Sequence, residues 1–595
     1  MAGIYGYFCY GEPEPGIATA FFEAVKKGAP AVEGQKQTFK SADGSAAMYW
    51  ESSSDESTPV VEGNANAPII FTDGWFCTSD EPSSQAFVQT NERSRKIAAS
   101  LEKGADCGIR GNYATGCWNP AERTMMISAD RFNTKTLYYT VVPEKNLFVF
   151  GSRLNVLTNF SGVRKKVSQA GLAAYLIYGF LPAPLTPYEN VCKVFPGEVL
   201  RIDARGEIVK SRPRTVVLKP DHEASYEEHC KSTRESLLSA VEFYTTQYGE
   251  VGNLLSGGID STLMLAAQSK FSDKPIKAFT LDYDDVQKNR YEVSDLRYAQ
   301  YATKLYGAEH FPLIRERESV GLGELERIAP YYDEPITTLT HGVTTDALLE
   351  LARAKGVKHC ITGNATGPLY GLVAWKATQR KMRKGKINSD EDILDGYGKT
   401  ANCDLTWVSE LLPGLEEAPI EITNRIFTPY REMYEAESIY ERFMNIRLIM
   451  QAGQRVLGMK EAVARQRGVS CWHPFVHPDV HASAIRIPGR YKGEFDLAKS
   501  KAVLVDAFRD MIPEKVVTRP KVGLPSSVLD KRETLVRYSG EKLTRERLSE
   551  TGILNPKFVA DLFEKAQTKE GLKRSAKLLR NLTMLQVWAE ANLLS

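Results

Sequence analysis

Long apolar runs are missing from this sequence: none approaches the roughly 18 residues needed to cross a membrane. Excess charge of either sign is missing too. Lys and Arg total 76 against 74 Asp and Glu, a formal net charge of +2. That balance argues against a nucleic-acid binder built on bulk electrostatics. The nine cysteines include no CxxC pair and no metal-type spacing, so they read as reduced intracellular thiols. Residues 1–15 have neither the basic start nor the apolar core of a secretory signal. These absences predict a cytoplasmic protein with no membrane and no nucleic-acid partner.

What is present begins with Leu254 to Thr262, LLSGGIDST, preceded by the apolar run Val251 to Leu255 and followed by LMLAAQ at helical spacing. Strand, glycine turn and helix start make a phosphate-binding arrangement in α/β proteins. The glycines let backbone approach a ligand. Ser256, Ser261 and Thr262 add hydroxyls to the N–H groups of the helix start, where the helix dipole favours an anion. The stretch has neither the lysine of the P-loop nor the spacing of a dinucleotide fingerprint.

A chain of 595 residues is too long for one core, since cores stop growing near ~250–300 residues. Residues 1–210 read as short alternating strands between Gly, Pro, Asn and Asp turns. The strands fall at Ile4 to Tyr10, Ala46 to Trp50, Ile69 to Phe76, Tyr113 to Trp118, Thr124 to Ala129, Leu137 to Val142 and Leu147 to Gly151. A helix is expected near Thr90 to Leu101. The Pro- and charge-rich stretch Lys210 to Glu223 places a linker at 211–223. Residues 224–595 follow a β–α–β rhythm: a helix from Ala224 to Tyr248, the strand into the glycine loop, a strand at Ile276 to Asp282, a helix at Arg297 to Tyr306 and a strand at Lys358 to Gly363. That rhythm predicts a parallel sheet with ligands at the strand carboxyl ends. Residues 376–400 read as a solvated surface insertion or lid, and Tyr430 to Arg465 as one or two long helices. His473 and His477 lie four apart beside two prolines, which favours structural roles over a helical metal pair.

Ser256 to Ser261, SGGIDS, resembles the pyrophosphate-gripping loop of the ATP pyrophosphatases, which cleave ATP between its α and β phosphates. The order of Arg110 to Ala114, Asp130 to Phe132, Lys135 to Tyr139 and Phe150 to Arg153 is similar to that in the glutamine amidotransferase half of asparagine synthetases. Phe279 to Tyr283, Asp333-Glu334-Pro335 and Arg519-Pro520-Lys521-Val522-Gly523-Leu524-Pro525 resemble motifs of the synthetase half. The resemblance implies an α+β N-terminal domain, an Ntn-type glutamine amidotransferase-like β sandwich with flanking helices. It also implies an α/β C-terminal domain with a parallel sheet, the ATP pyrophosphatase fold.

Several positions depart from the family. The family's N-terminal cysteine nucleophile is Ala2 here, its glutamine-carboxylate clamp has no counterpart between Lys40 and Trp50, and Thr72 to Phe76 replaces its NGEIYN stretch. Cys9 lies inside the first strand. Asn364 and Gly367 stand where the family has a Glu and an Asp that helps hold magnesium. The resemblance therefore implies a synthetase without glutaminase activity, like β-lactam synthetase and lasso-peptide cyclases in specialised metabolism. It would adenylate a small-molecule or peptide carboxylate with ATP and Mg2+, and a homodimer is possible. Leu255, Ser256, Gly257, Gly258, Asp260, Ser261, Thr280, Leu281 and Gly363 would bind the nucleotide, Asp260 the metal, and Lys521 the developing charge of the reaction. Glu461 is the candidate carboxylate for the amine. Amidation by free ammonia or a separate amine, and a binding role without catalysis, remain open at this point.

Overall fold

The computed structural model describes residues 2–29, 34–52, 67–78, 91–106, 108–160, 162–213, 215–284, 295–316, 321–371, 389, 392, 403–494, 496, 499–519 and 532–594. Lys521 and nearly all of the 376–400 insertion lie outside the described residues.

The N-terminal half contains eleven described strands: β1 (Ala2–Cys9), β2 (Gln35–Lys40), β3 (Ala46–Ser52), β4 (Ile69–Thr78), β5 (Ile109–Asn119), β6 (Thr124–Ala129), β7 (Tyr138–Val142), β8 (Leu147–Gly151), β9 (Val191–Lys193), β10 (Val199–Ile202) and β11 (Ile208–Ser211). They form two antiparallel sheets, ordered β2-β3-β1-β8-β7-β9 and β11-β10-β6-β5-β4. Ile4, Met48 and Phe150 of the first sheet meet Phe71, Trp118 and Ile127 of the second in one apolar layer. This is the expected sandwich. Two elements had escaped the alternation argument. Gln35–Lys40 is an edge strand whose QKQTFK is too polar to alternate. The helix Ile17–Gly28 buries Ile17, Phe21, Ala24 and Val25, a helical spacing within a stretch read as loop.

The presumed linker is stitched to the second half. Residues Val216–Leu218 (β12) pair in parallel with Tyr434–Ala436 (β17). Of the one or two long helices expected over Tyr430 to Arg465, the structure has two helical stretches, parted after Pro419–Glu432 where Tyr434–Ala436 satisfies its backbone against the linker. Helical structure then resumes at Ile439–Arg447 and passes through a π-helix, Leu448–Leu457, before Gly458–Arg467.

Strands β13 (Val251–Leu254), β14 (Lys277–Asp284), β15 (Glu309–Glu316), β16 (His359–Thr362) and β18 (Ser470–Trp472) form an all-parallel sheet ordered β15-β14-β13-β16-β18. Chain order runs outward from β13 in both directions, so the strand order reverses at β13 and β16. Ligands of open α/β sheets bind outside the strand carboxyl ends at such a switch point.

The two halves share one core. Trp75 and Phe132 of the N-terminal half and its helix Gln169–Tyr178 belong to the same buried cluster as Tyr244, Phe475 and Trp588. Polar groups are paired across it: Tyr430 Oη donates to the Ala183 carbonyl at 3.0 Å, and the Ala183 N–H donates to Gln454 Oε1 at 2.8 Å. Beside this core Lys135 meets Glu461 at 2.7 Å and Asp73 at 3.6 Å. Arg465 lies 3.5 Å from Asp73 and 3.8 Å from Glu461. All four side chains are at most 5% exposed.

Removing one member of a buried pair strands its partner, at a cost of about 3–5 kcal/mol, whereas replacing both by apolar groups is often neutral. Lys135→Met is thus expected to lower the thermal unfolding temperature of the whole chain, and adding Glu461→Leu to restore most of the loss. Equal melting temperatures for the single and double variants would contradict this account.

Candidate active site

The glycine loop leaves the carboxyl end of β13 and enters the helix Ile259–Gln268. Gly257 has φ +67, a conformation side chains resist. A Cβ there would lie 2.6 Å from the Ala299 nitrogen and 2.8 Å from the Asp295 carbonyl, so the first turn of the helix Asp295–Leu305 presses on this residue. Gly258 is the N-cap and brings no side-chain cap. The first N–H groups of the helix are thereby left for a ligand. Ser261 Oγ accepts from the Ser256 N–H at 3.2 Å and lies 3.1 Å from Ser256 Oγ, which draws both hydroxyls to the loop.

Gly363 follows β16 and touches the same turn. A Cβ on it would stand 2.7 Å from the Asp260 carbonyl carbon and 2.8 Å from the Ser261 nitrogen. Leu255 is held by its N–H donating to the Phe279 carbonyl at 2.9 Å and its carbonyl accepting from Thr280 Oγ1 at 2.8 Å. Thr280 is buried and in turn contacts His310 Nε2 at 2.9 Å, an imidazole that burial pushes toward its neutral form. Leu281 is half-buried. The residues expected around the nucleotide thus lie on β14, just past the ends of β13 and β16, and in the glycine turn and the helix start it leads into.

Asp260 receives Lys501 Nζ at 2.7 and 2.6 Å, one bond to each carboxylate oxygen. Lys501 itself adopts φ +63, and its N–H donates to the Tyr370 carbonyl. Sequence reasoning missed it. It lies in a lysine-rich run 241 residues from its partner, with nothing local to mark it. Arg519, the first residue of the Arg519-to-Pro525 motif, donates from Nη1 to the Gly257 carbonyl at 3.0 Å and from Nη2 to Asp295 Oδ1 at 2.7 Å. Burial raises the Asp295 carboxyl above its ordinary range against the opposing pull of Arg519.

Among the described residues no group of three or more His, Cys, Asp or Glu could hold a metal. Asp260 is the carboxylate at the glycine turn, and both of its oxygens are held by Lys501. Magnesium, which takes one or two carboxylates beside substrate phosphates, fits there once that ammonium gives up an oxygen. Asn364 and Gly367 add no carboxylate.

Glu461 is placed in the other set, with Lys135, Asp73 and Arg465, and the structure does not bring it into the Asp260–Lys501 pair. Burial raises its carboxyl, with Lys135 opposing. It also lines a cavity of about 60 Å³ between the halves, together with Tyr138, Lys193, Asp333 and Glu334. Two further ion pairs close that region, Arg153–Asp333 at 2.9 Å and Lys193–Glu334 at 2.6 Å. His473 contacts Thr362 Oγ1 at 2.7 Å, and His477 stacks on Trp75.

The fold and loop define a two-part molecule: an amidotransferase-like sandwich joined to an α/β unit with an uncapped glycine turn at its switch point. Comparison with known proteins agrees. The family model for asparagine synthase matches residues 232–590, and that for a glutamine amidotransferase domain matches 94–212. The chain belongs to the asparagine synthase family. Asparagine synthetase [glutamine-hydrolyzing] 1 of Bacillus subtilis is 24% identical over 38% of this chain and 34% of its own length. A putative asparagine synthetase [glutamine-hydrolyzing] of Mycobacterium tuberculosis is 22% identical over 70% of this chain and 67% of its own. Amidase chry2 of Gibberella zeae is 25% identical over 44% of this chain and 40% of its own. The match therefore spans about a third of the first of these relatives and two thirds of the second.

Gly363→Ala tests the packing of the turn. Its methyl group would collide with the backbone that starts the helix. The variant is expected to keep its far-ultraviolet circular dichroism while weakening ATP binding at least tenfold in a calorimetric titration. Unchanged ATP affinity would count against this turn as the nucleotide site.

Proposed function

We propose that this chain is an ATP-dependent amide-forming ligase whose nitrogen does not come from glutamine hydrolysed in its own N-terminal half. A substrate carboxylate oxygen attacks the α phosphorus of ATP, the bond to the bridging oxygen of the β phosphate breaks, and pyrophosphate leaves. An amine carried by the same substrate then attacks the acyl carbon, AMP leaves, and the ammonium proton passes to a base, closing an amide ring.

The uncapped turn at Ser256 to Ser261 supports the first half of this reading. Its N–H groups and hydroxyls suit pyrophosphate, and Lys501 offsets the negative charge of Asp260 beside them. Asp260 would hold magnesium, which neutralises phosphate charge when bound. Lys521 would stabilise charge developing on the acyl oxygen and phosphate, a donor role whose loss commonly costs about 3–4 kcal/mol.

The observation that carries the second half is what fills the N-terminal half. Position 2 is alanine, without a nucleophile. Cys9 is at the far end of β1 and buried, its thiol pushed up to about 11. In the Thr72 to Phe76 stretch Asp73 is committed to Lys135 and Arg465. Trp75 packs on Phe243 and His477 and donates to Tyr244 Oη at 3.1 Å. These side chains serve the joint between the halves.

Pyrophosphate release across a panel of amino-bearing carboxylates and peptides tests the proposal. Substrate-dependent AMP and pyrophosphate are expected, falling at least a hundredfold in Lys521→Ala, with a product lighter than its substrate by one water and no stimulation by glutamine. ADP and phosphate, or glutamine-dependent turnover, would overturn it.

A further inference from the structure

Every carbonyl oxygen in a peptide points away from the N–H of the same planar unit. Fixing one fixes the other. The peptide joining Gly257 to Gly258 is fixed from its carbonyl side, where Arg519 Nη1 donates at 3.0 Å. Its N–H belongs to Gly258, the residue that opens the helix and has no side-chain cap.

The guanidinium that does this is held on three sides. Nη2 donates to Asp295 Oδ1 at 2.7 Å, and the group lies 4.8 Å from the centre of the Tyr298 ring. Arg519 and Asp295 are 8% and 11% exposed. Asp295 and Tyr298 stand on the helix whose first turn presses on Gly257, so one side chain joins that helix, the glycine turn and the C-terminal segment. Gly258 remains open on this side: a Cβ built on it would lie 3.5 Å from Ser256 Oγ and 3.9 Å from Arg519 Nη2. The fork of a guanidinium satisfies two acceptors at fixed angles, which a lysine ammonium cannot reproduce.

We propose that Arg519 is a positioning residue for the pyrophosphate turn: through Asp295 and the Gly257 carbonyl it aims the Gly258 N–H into the cradle. This rests on the reading of the turn as a pyrophosphate site. It adds that affinity for the pyrophosphate part depends on a side chain bound to the back of the turn.

The test is titration of the full chain with inorganic pyrophosphate and magnesium, and separately with AMP, for the wild type, Arg519→Lys, Arg519→Gln and Asp295→Asn. Arg519→Gln is expected to weaken pyrophosphate binding at least tenfold with AMP affinity within twofold of wild type. Arg519→Lys and Asp295→Asn should fall between. A structural loss alone would lower both affinities together, along with the melting temperature, and would overturn the proposal. So would wild-type pyrophosphate affinity in Arg519→Gln. Absence of pyrophosphate binding in the wild type would instead overturn the reading of the turn itself, and the inference with it.

Discussion

The start of the helix Ile259–Gln268 carries no side-chain cap, and residues from distant parts of the C-terminal half converge on it. An uncapped helix end exposes N–H groups that are costly to bury unpaired and valuable for an anion. The turn has to be tight enough to present them together, so backbone crowds it from two sides: the helix Asp295–Leu305 against Gly257, and Gly363 against Asp260. No side chain fits at either place. The sheet supplies the position, since β13 and β16 are the neighbours between which the chain order reverses.

Crowded backbone alone does not choose a ligand. Charge does, and here it comes from far along the chain. Lys501 neutralises Asp260, and Arg519 neutralises Asp295, so the cradle presents two ion pairs around a turn of hydroxyls and amides. Each lysine or arginine is committed to a carboxylate at hydrogen-bond distance, which defines its direction more tightly than a solvated surface cation would. The turn is thus polarised and ordered by the protein's own side chains.

A second commitment joins the halves. The sandwich no longer ends at its own surface: Trp75 lies in a core shared with the second half, and the strand β12 pairs with β17 of that half. Two cations and two anions, Lys135, Arg465, Asp73 and Glu461, are buried in the joint. Such groups contribute little net stability when paired, but they penalise any rearrangement that parts them. A stretch packed this way cannot also open to receive and release a small substrate without unpairing charges. The same residues therefore hold the halves as one body.

How much of this could be read in the sequence follows from how far each signal reaches along the chain. The glycine turn, the strand Thr124–Ala129 and the β–α order of the second half depend on neighbours a few residues apart, and period and turn residues revealed them. The break at Tyr434–Ala436 did not show, because its cause is the linker strand Val216–Leu218. Glu461 is a single acid on a helical face, and its periodicity is the same whether it faces a substrate or Lys135. The partner that decides between these is 326 residues away. Lys501 and Asp260 are separated by 241, and Arg519 and the Gly257 carbonyl by 262. Local pattern reports which face of an element is apolar. Which charge meets which is fixed only when the sheet brings its strand ends together, so the glycine turn could be read from its own residues and the side chains that hold it could not.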